Sequence, residues 1–402
     1  MTNPISLESK LSNTEWQILL LLAAINFTHT MDFVMVIPMG PKLIKELHIS
    51  ANEVGHIISS YTLCAAIFGL LGASIIDKIE RKKALLISFL GLILGTFLCA
   101  WSSNYIELLI ARGFAGASGG IMSSMVYTYV GDYIVEQKRG RATGIVMNSY
   151  SIASILGIPL GLMLANQFNW NSPFYYLSIL GLFLLILSFF ILPKIDSSPI
   201  NKTASKIYTE LLSNNNALWA LLFMVLLTIS GFAVIPFIST FVVSNAGLPE
   251  NYLMYMYLIS GIINFFAGPA TGKLADKFGK NIIFSYTALL SAIPVVIFSY
   301  LNNASIPYIF TITTLMFLLF ATRYVPAMAM ITSSIDKDKR GGFLTISNSV
   351  QQLMMGVSTY IVGLFIISNP DGTISGFSIG AFISAIAVII SVAIAKKIKI
   401  IS

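Results

Sequence analysis

The sequence predicts an all-α membrane protein, with twelve transmembrane helices in two pseudo-symmetric six-helix bundles. Three observations lead there. Hydrophobic residues make up 56% of the 402-residue chain and charged residues only 10%, with a mean hydropathy of +0.82. An ordinary soluble domain is about a quarter charged, and no soluble fold of this length could hide so much apolar surface. Apolar runs of about twenty residues, enough for a helix to cross a bilayer, recur along the chain. The basic residues are segregated into alternate loops. This composition excludes a cytosolic enzyme, a disordered chain, a coiled coil and a secreted disulfide scaffold. Cys64 and Cys99 both lie in apolar runs and read as small packed hydrophobes.

Taken in order, the apolar spans cover 17–37, 54–76, 84–101, 107–130, 142–165, 174–192, 217–243, 252–275, 281–300, 307–330, 343–367 and 376–395. Each must be helical, because hydrocarbon supplies no partner for a backbone amide. The first is too long for a signal-peptide core, and no small-residue cleavage site follows Pro38. Between the sixth and seventh spans, 193–216 is the longest interior polar stretch. It reads as a cytoplasmic linker lying along the membrane surface, dividing the chain into 1–192 and 217–402.

Orientation follows from Lys and Arg. Of 24 such residues, twenty fall in loops on the side of both termini, two (Lys42 and Lys45) on the other, and Arg112 and Arg323 inside spans. That asymmetry places both termini in the cytoplasm. It also explains the net charge of +7 as a topology device, so no nucleic-acid partner is expected.

The two halves share sequence. Asp77-Lys-Ile-Glu80-Arg81 after the second span matches Asp276-Lys-Phe-Gly279-Lys280 after the eighth, and Lys138-Arg139-Gly140 matches Lys339-Arg340-Gly341. Two parallel repeats of six spans are the layout of one large transporter class. On these loops, on Arg112-x-x-x-Gly116 and on Gly157-x-Pro159-x-Gly161, the chain resembles the major facilitator superfamily over its full length. It is most similar to the twelve-helix drug:proton antiporter branch, the arabinose-efflux-permease-like members. The first loop departs from the pattern, with Ala73 and Glu80 where the family has Gly. The span-5 motif is poorer in Gly than the antiporter signature.

The resemblance implies that the second span packs on the eleventh and the eighth on the fifth. Asp77 would then face the helix start at Gly341, and Asp276 the start at Gly140, where free N–H groups and the dipole favour an anion. Arg81 would pair with Asp132 at the foot of the fourth span, and Lys280 repeats Arg81 in the second half. These residues form the expected cytoplasmic gate; the bland alternative is that they only fix topology.

Ionisable residues at membrane depth are functional candidates by default. Asp32 and Arg112 each lie about five residues, or about 7–8 Å, below the same membrane boundary, so an ion pair is expected. It reads either as a proton site or as a static strut. His29, one turn from Asp32, is the second proton candidate. Arg323 has no evident acidic neighbour in its half, which suggests a water-filled cavity or an anionic substrate group, or else a structural arginine. Asn26, Thr30, Phe33, Asn148, Arg323 and Asn348 are the candidate cavity residues. No P-loop, nucleophile elbow or metal-ligand spacing is present, so neither an enzyme nor a bound cofactor or metal is expected. The resemblance implies proton-coupled efflux of small molecules by a monomer in the cell membrane. A metabolite importer or uniporter, and a non-transporting sensor on the same scaffold, stay open on the residues alone.

Overall fold

The computed structural model describes residues 11–76, 79–195, 210, 213–336 and 339–401. It is almost wholly helical. The first half comprises α1 (Asn13–Val34), a short α2 (Gly40–Leu47), α3 (Ala51–Ile76), α4 (Arg81–Trp101), α5 (Tyr105–Tyr133), α6 (Glu136–Ile152), α7 (Ile158–Gln167) and α8 (Ser172–Ile191). The second comprises α9 (Asn215–Phe232), α10 (Ile238–Ser244), α11 (Leu253–Phe278), α12 (Lys280–Phe298), α13 (Ile306–Thr332), α14 (Arg340–Gly363) and α15 (Phe377–Ala395), with a two-stranded antiparallel hairpin, β1 (Ile367–Ser368) and β2 (Ile374–Ser375), before the last helix.

Local chemistry sets the starts. Ser12 and Glu15 form a reciprocal capping box ahead of α1. Asn104 caps α5 by accepting from the Glu107 amide. Pro173 and Pro307 occupy the first turns of α8 and α13, where a missing N–H costs nothing.

Among the described residues, ten helical segments are long and apolar enough to cross a membrane. Two further long helices, α5 and α14, are more polar; α5 carries Glu107, Arg112 and Asp132, and α14 is rich in Ser, Thr, Asn and Gln. Large side chains such as Ile179, Phe189, Phe190 and Phe266 are exposed, as on a lipid-facing surface.

Three expected spans are interrupted. The first stops at Val34, because Pro38 and Pro41 end one helix and start the next. The fifth contains a π-helical turn over Ala153–Gly157. The seventh breaks at Ala233, ahead of Pro236 in a 3-10 turn. The eleventh ends at Gly363 rather than 367, and the hairpin takes up the remainder. Within the expected linker, 196–209, 211 and 212 lie outside the described residues.

Helix packing repeats between the halves. In the first, the neighbours run α3, α5, α4, α8, α1, α6; in the second, α11, α13, α12, α15, α9, α14. Between the halves, α3 packs extensively on α14, as the resemblance implies, while α11 packs on α7 and the π turn but only slightly on α6. The cross-half contacts gather at the face away from the termini. There α2 meets α10, Thr240 abuts Gly40, and Phe237 abuts Gly55. Towards the terminal face, the space a Cβ would fill at Gly140, Gly144 and Gly268 is open. The molecule is therefore sealed on the far face and splayed on the face bearing both termini.

Candidate functional site

Asp32 and Arg112 meet inside the first bundle, both fully buried, with Arg112 Nη1 3.0 Å from Asp32 Oδ2. The same nitrogen donates to the Asp32 backbone carbonyl at 3.0 Å. Thr96 on α4 donates its hydroxyl to the other carboxylate oxygen, at 3.0 Å. The guanidinium lies over the Tyr61 ring, 4.1 Å from its centroid. Four helices thus converge on one ion pair, which is what a charge removed from water requires.

Close approach of α3 and α5 makes the arrangement possible. A Cβ at Gly116, one turn from Arg112, would collide with the Tyr61 backbone carbonyl. At Gly95, on the other side, it would lie 2.6 Å from the Ala115 Cα. The small residues Gly116 and Gly95 therefore bring Tyr61 and Thr96 to the pair.

His29 is buried one turn from Asp32, with Nε2 unpartnered and its ring 6.3 Å from that of Tyr61. The expected juxtaposition of Asp32, Arg112 and His29 is thus present. Tyr61 and Thr96 join it although no charge or spacing singles them out. The one signal for Tyr61 is Gly116-x-x-Gly119-Gly120, which predicts close helix contact without naming the partner.

The expected cavity residues divide. Asn148 and Asn348 are exposed, on the splayed side of the molecule. Near them in sequence are Tyr150 and Tyr324, also exposed, and Gln351, which donates to the Tyr324 hydroxyl at 3.0 Å. Asn26 is instead buried, bridging α1 to α6 by donating to the Ser149 hydroxyl at 2.7 Å. Thr30 is buried and donates to the carbonyl of Asn26, one turn back. Phe33 is buried and stacks on Phe232 of the second half, 6.2 Å away.

Arg323 departs from the cavity expectation. It is buried inside the second bundle, donating to Ser291 Oγ at 2.6 Å and Ser230 Oγ at 3.0 Å, with its guanidinium 4.3 Å from the Phe320 centroid. Serine hydroxyls from α9 and α12 take up the donors that an anionic cavity ligand would have received. The helices involved are the repeat counterparts of α1 and α4, which supply Asp32 and Thr96 to Arg112.

At the terminal face, Arg81 Nε pairs with Asp132 Oδ2 at 2.8 Å, as expected. Its repeat, Lys280, donates to Ser333 Oγ at 3.2 Å. Lys138 pairs with Glu15 at 3.1 Å, and its repeat Lys339 with Glu210 at 2.9 Å. Asp276 is exposed and does not reach Gly140, whose surroundings are open. The expected contact is therefore not made in this structure, where α11 packs on α7 and the π turn rather than on the start of α6. Asp77 lies outside the described residues, and with it the expected contact at Gly341.

A two-repeat helical membrane assembly with a buried charge pair and one open face is the architecture of a membrane transporter. The Major Facilitator Superfamily profile matches residues 22–359, and the chain belongs to that family. Among its relatives is a Bacillus subtilis protein described as the uncharacterized MFS-type transporter YceJ, 26% identical over 368 residues covering 90% of this chain and 93% of the relative. Another is YbcL of the same organism, described in the same terms, 22% identical over 96% of each chain. Among solved structures, the fold is shared with an inward-facing, occupied bacterial homolog of the lysosomal transporter Spinster (TM-score 0.78, 14% identity, 97% of each chain). It is also shared with a D-xylose–proton symporter (TM-score 0.75, 17% identity, 94% of this chain and 97% of that one).

Proposed function

We propose that this transporter is a proton-coupled exporter of small molecules, working by alternating access in the cell membrane as a monomer with both termini in the cytoplasm. The observation that carries the reading is the sealed Asp32–Arg112 pair beside His29. Burying two charges costs several kcal/mol per ion before pairing, and a carrier driven by protons needs one carboxylate whose proton affinity differs between two conformations. Protonation of Asp32 removes the anion that holds Arg112 to α1, and lets α5 move relative to α1. The orientation rests on the basic loops, so the splayed face opens to the cytoplasm and the sealed face is external. Residues 1–192 and 217–402 act as the two moving bundles, joined by 193–216.

Substrate enters from the splayed side, where Asn148, Tyr150, Tyr324, Asn348 and Gln351 offer amides, phenols and aromatic faces. These groups suit uncharged polar or amphipathic molecules. Asp77, Arg81, Asp132, Gly140, Asp276, Lys280 and Gly341 form the terminal-face gate, closing when the external seam opens.

The test is proton flux in everted membrane vesicles carrying a pH gradient, followed with acridine orange while a panel of small molecules is added. An exporter collapses the gradient when its substrate is added, and Asp32→Asn removes that response. Gradient-driven transport at the full rate in Asp32→Asn would overturn Asp32 as the proton site and make His29 the leading candidate. Uptake into right-side-out vesicles driven by an inward gradient would establish import instead.

A further inference from the structure

The ion pair is joined to the external seam by a continuous column of rings. Arg112 lies 4.1 Å over Tyr61. Tyr61 stacks on Phe33 at 5.5 Å with an interplanar angle of 26°. Phe33 stacks on Phe232 of the other half at 6.2 Å and 22°. Phe232 is the last residue of α9 before the break, and the chain beyond it supplies Phe237 and Thr240, which seal against Gly55 and Gly40. Tyr61 is fully buried and Phe33 nearly so. The column is therefore packed between two fixed points, a guanidinium at one end and the start of the seam at the other.

We propose that Tyr61, Phe33 and Phe232 are positioning residues that couple the charge state of the Asp32–Arg112 pair to opening of the external seam. The inference rests on Asp32 being the group that changes charge. A guanidinium held by a carboxylate is fixed in register over the Tyr61 face, where the ring's negative quadrupole attracts it. When the carboxylate is neutralised, the ionic hold on Arg112 is lost, and neutral hydrogen bonds to Asp32 and the Tyr61 ring are what remain. The ring then either shifts with the cation or loses it, and stacked rings in a close-packed interior pass such a shift on because they cannot deform continuously. The groups around the pair are Thr96 and Cys99 on α4, His29 on α1 and Tyr61 on α3. Among the described residues, no second acid neutralises Arg112 when Asp32 loses its charge.

Thr240→Cys supplies the readout, because Thr240 is buried in the seam against Gly40 and reacts with an external impermeant maleimide only when the seam opens. Labelling rates are compared in four full-length proteins in vesicles: the Thr240→Cys parent, and that parent with Asp32→Asn, Phe232→Leu, or both. Asp32→Asn is expected to change the rate by roughly 30-fold, the size of a desolvated cation–aromatic contact. In the Phe232→Leu background, the same charge change is expected to alter the rate by less than about twofold. Phe232→Tyr, which keeps the ring, is expected to restore the full response; this variant also separates loss of coupling from loss of packing. An equal response to Asp32→Asn with and without the Phe232 ring overturns the proposal. So does an absent response in the parent. The proton reading is decided separately by gradient-driven transport in Asp32→Asn. A variant that loses that transport yet leaves seam labelling unchanged defeats the column and spares the proton site.

Discussion

Removing Arg112 alone is expected to damage the protein more than removing Arg112 and the charge of Asp32 together. Both side chains are fully buried, and Arg112 Nη1 makes two bonds to Asp32, each 3.0 Å long. In Arg112→Ala the carboxylate keeps only the Thr96 hydroxyl, far short of what an anion removed from water needs. Breaking a buried pair from one side costs about 3–5 kcal/mol. Loss of the cation from the Tyr61 face adds about 2 kcal/mol. Against a total stability of roughly 5–15 kcal/mol, that removes much of the folded population. With Asp32→Asn added, no buried charge remains. The amide oxygen can still accept from Thr96, and the cost falls to that of the vacated volume, about 2 kcal/mol. Thermal unfolding in detergent, followed by size-exclusion recovery of monodisperse protein, measures the difference. The double variant is expected to melt several degrees above Arg112→Ala and to be recovered in higher yield, though without gradient-driven transport. Equal melting of the two variants would refute the reasoning, because it would mean that the carboxylate is not stranded by loss of its partner.

Four further outcomes are expected. Gly116→Ala forces a methyl group into the Tyr61 backbone and is expected to cost about 3 kcal/mol or more, whereas Gly140→Ala, facing open space, is expected to melt like the parent. Asp77→Asn and Asp276→Asn are expected to slow transport in vesicles while leaving membrane insertion intact; unchanged rates in both and in the double variant would remove the gating role. Cysteine at position 402 is expected to resist an impermeant maleimide added to intact cells, and labelling would reverse the orientation. Arg323→Met is expected to fold within about 1 kcal/mol of the parent, since Ser230 and Ser291 can each donate to a carbonyl three residues back, and to retain transport; loss of transport with normal folding would return Arg323 to the substrate path.

What was legible in the sequence depends on whether a feature is carried by one helix or by several. Composition and basic-residue bias yield the spans, because a bilayer imposes the same demand on each span independently. The meeting of Asp32 with Arg112 follows from depth alone, since two charges at one level of the membrane seek each other. Arg81 with Asp132 follows from the loop motif. Tyr61 and Thr96 could not be read in this way. An aromatic and a hydroxyl on apolar helices carry no cost that demands a partner, and their role exists only because Gly116 and Gly95 let three backbones close around the pair. Arg323 shows the converse. Its charge demands a partner, for which an anion or water is the expectation; instead the hydroxyl oxygens of Ser230 on α9 and Ser291 on α12 accept from the Arg323 guanidinium on α13, with no acid involved. The breaks at Val34, Ala153 and Ala233 have the same origin, since each interrupts an apolar run whose hydropathy is unaffected by a turn within it. All three lie on helices that border the junction of the two halves: α1 through the Phe33–Phe232 stack, the π turn through its packing on α11, and the turn after α9 through its packing on α3. The irregular backbone that hydropathy cannot see is thus placed where the two halves meet.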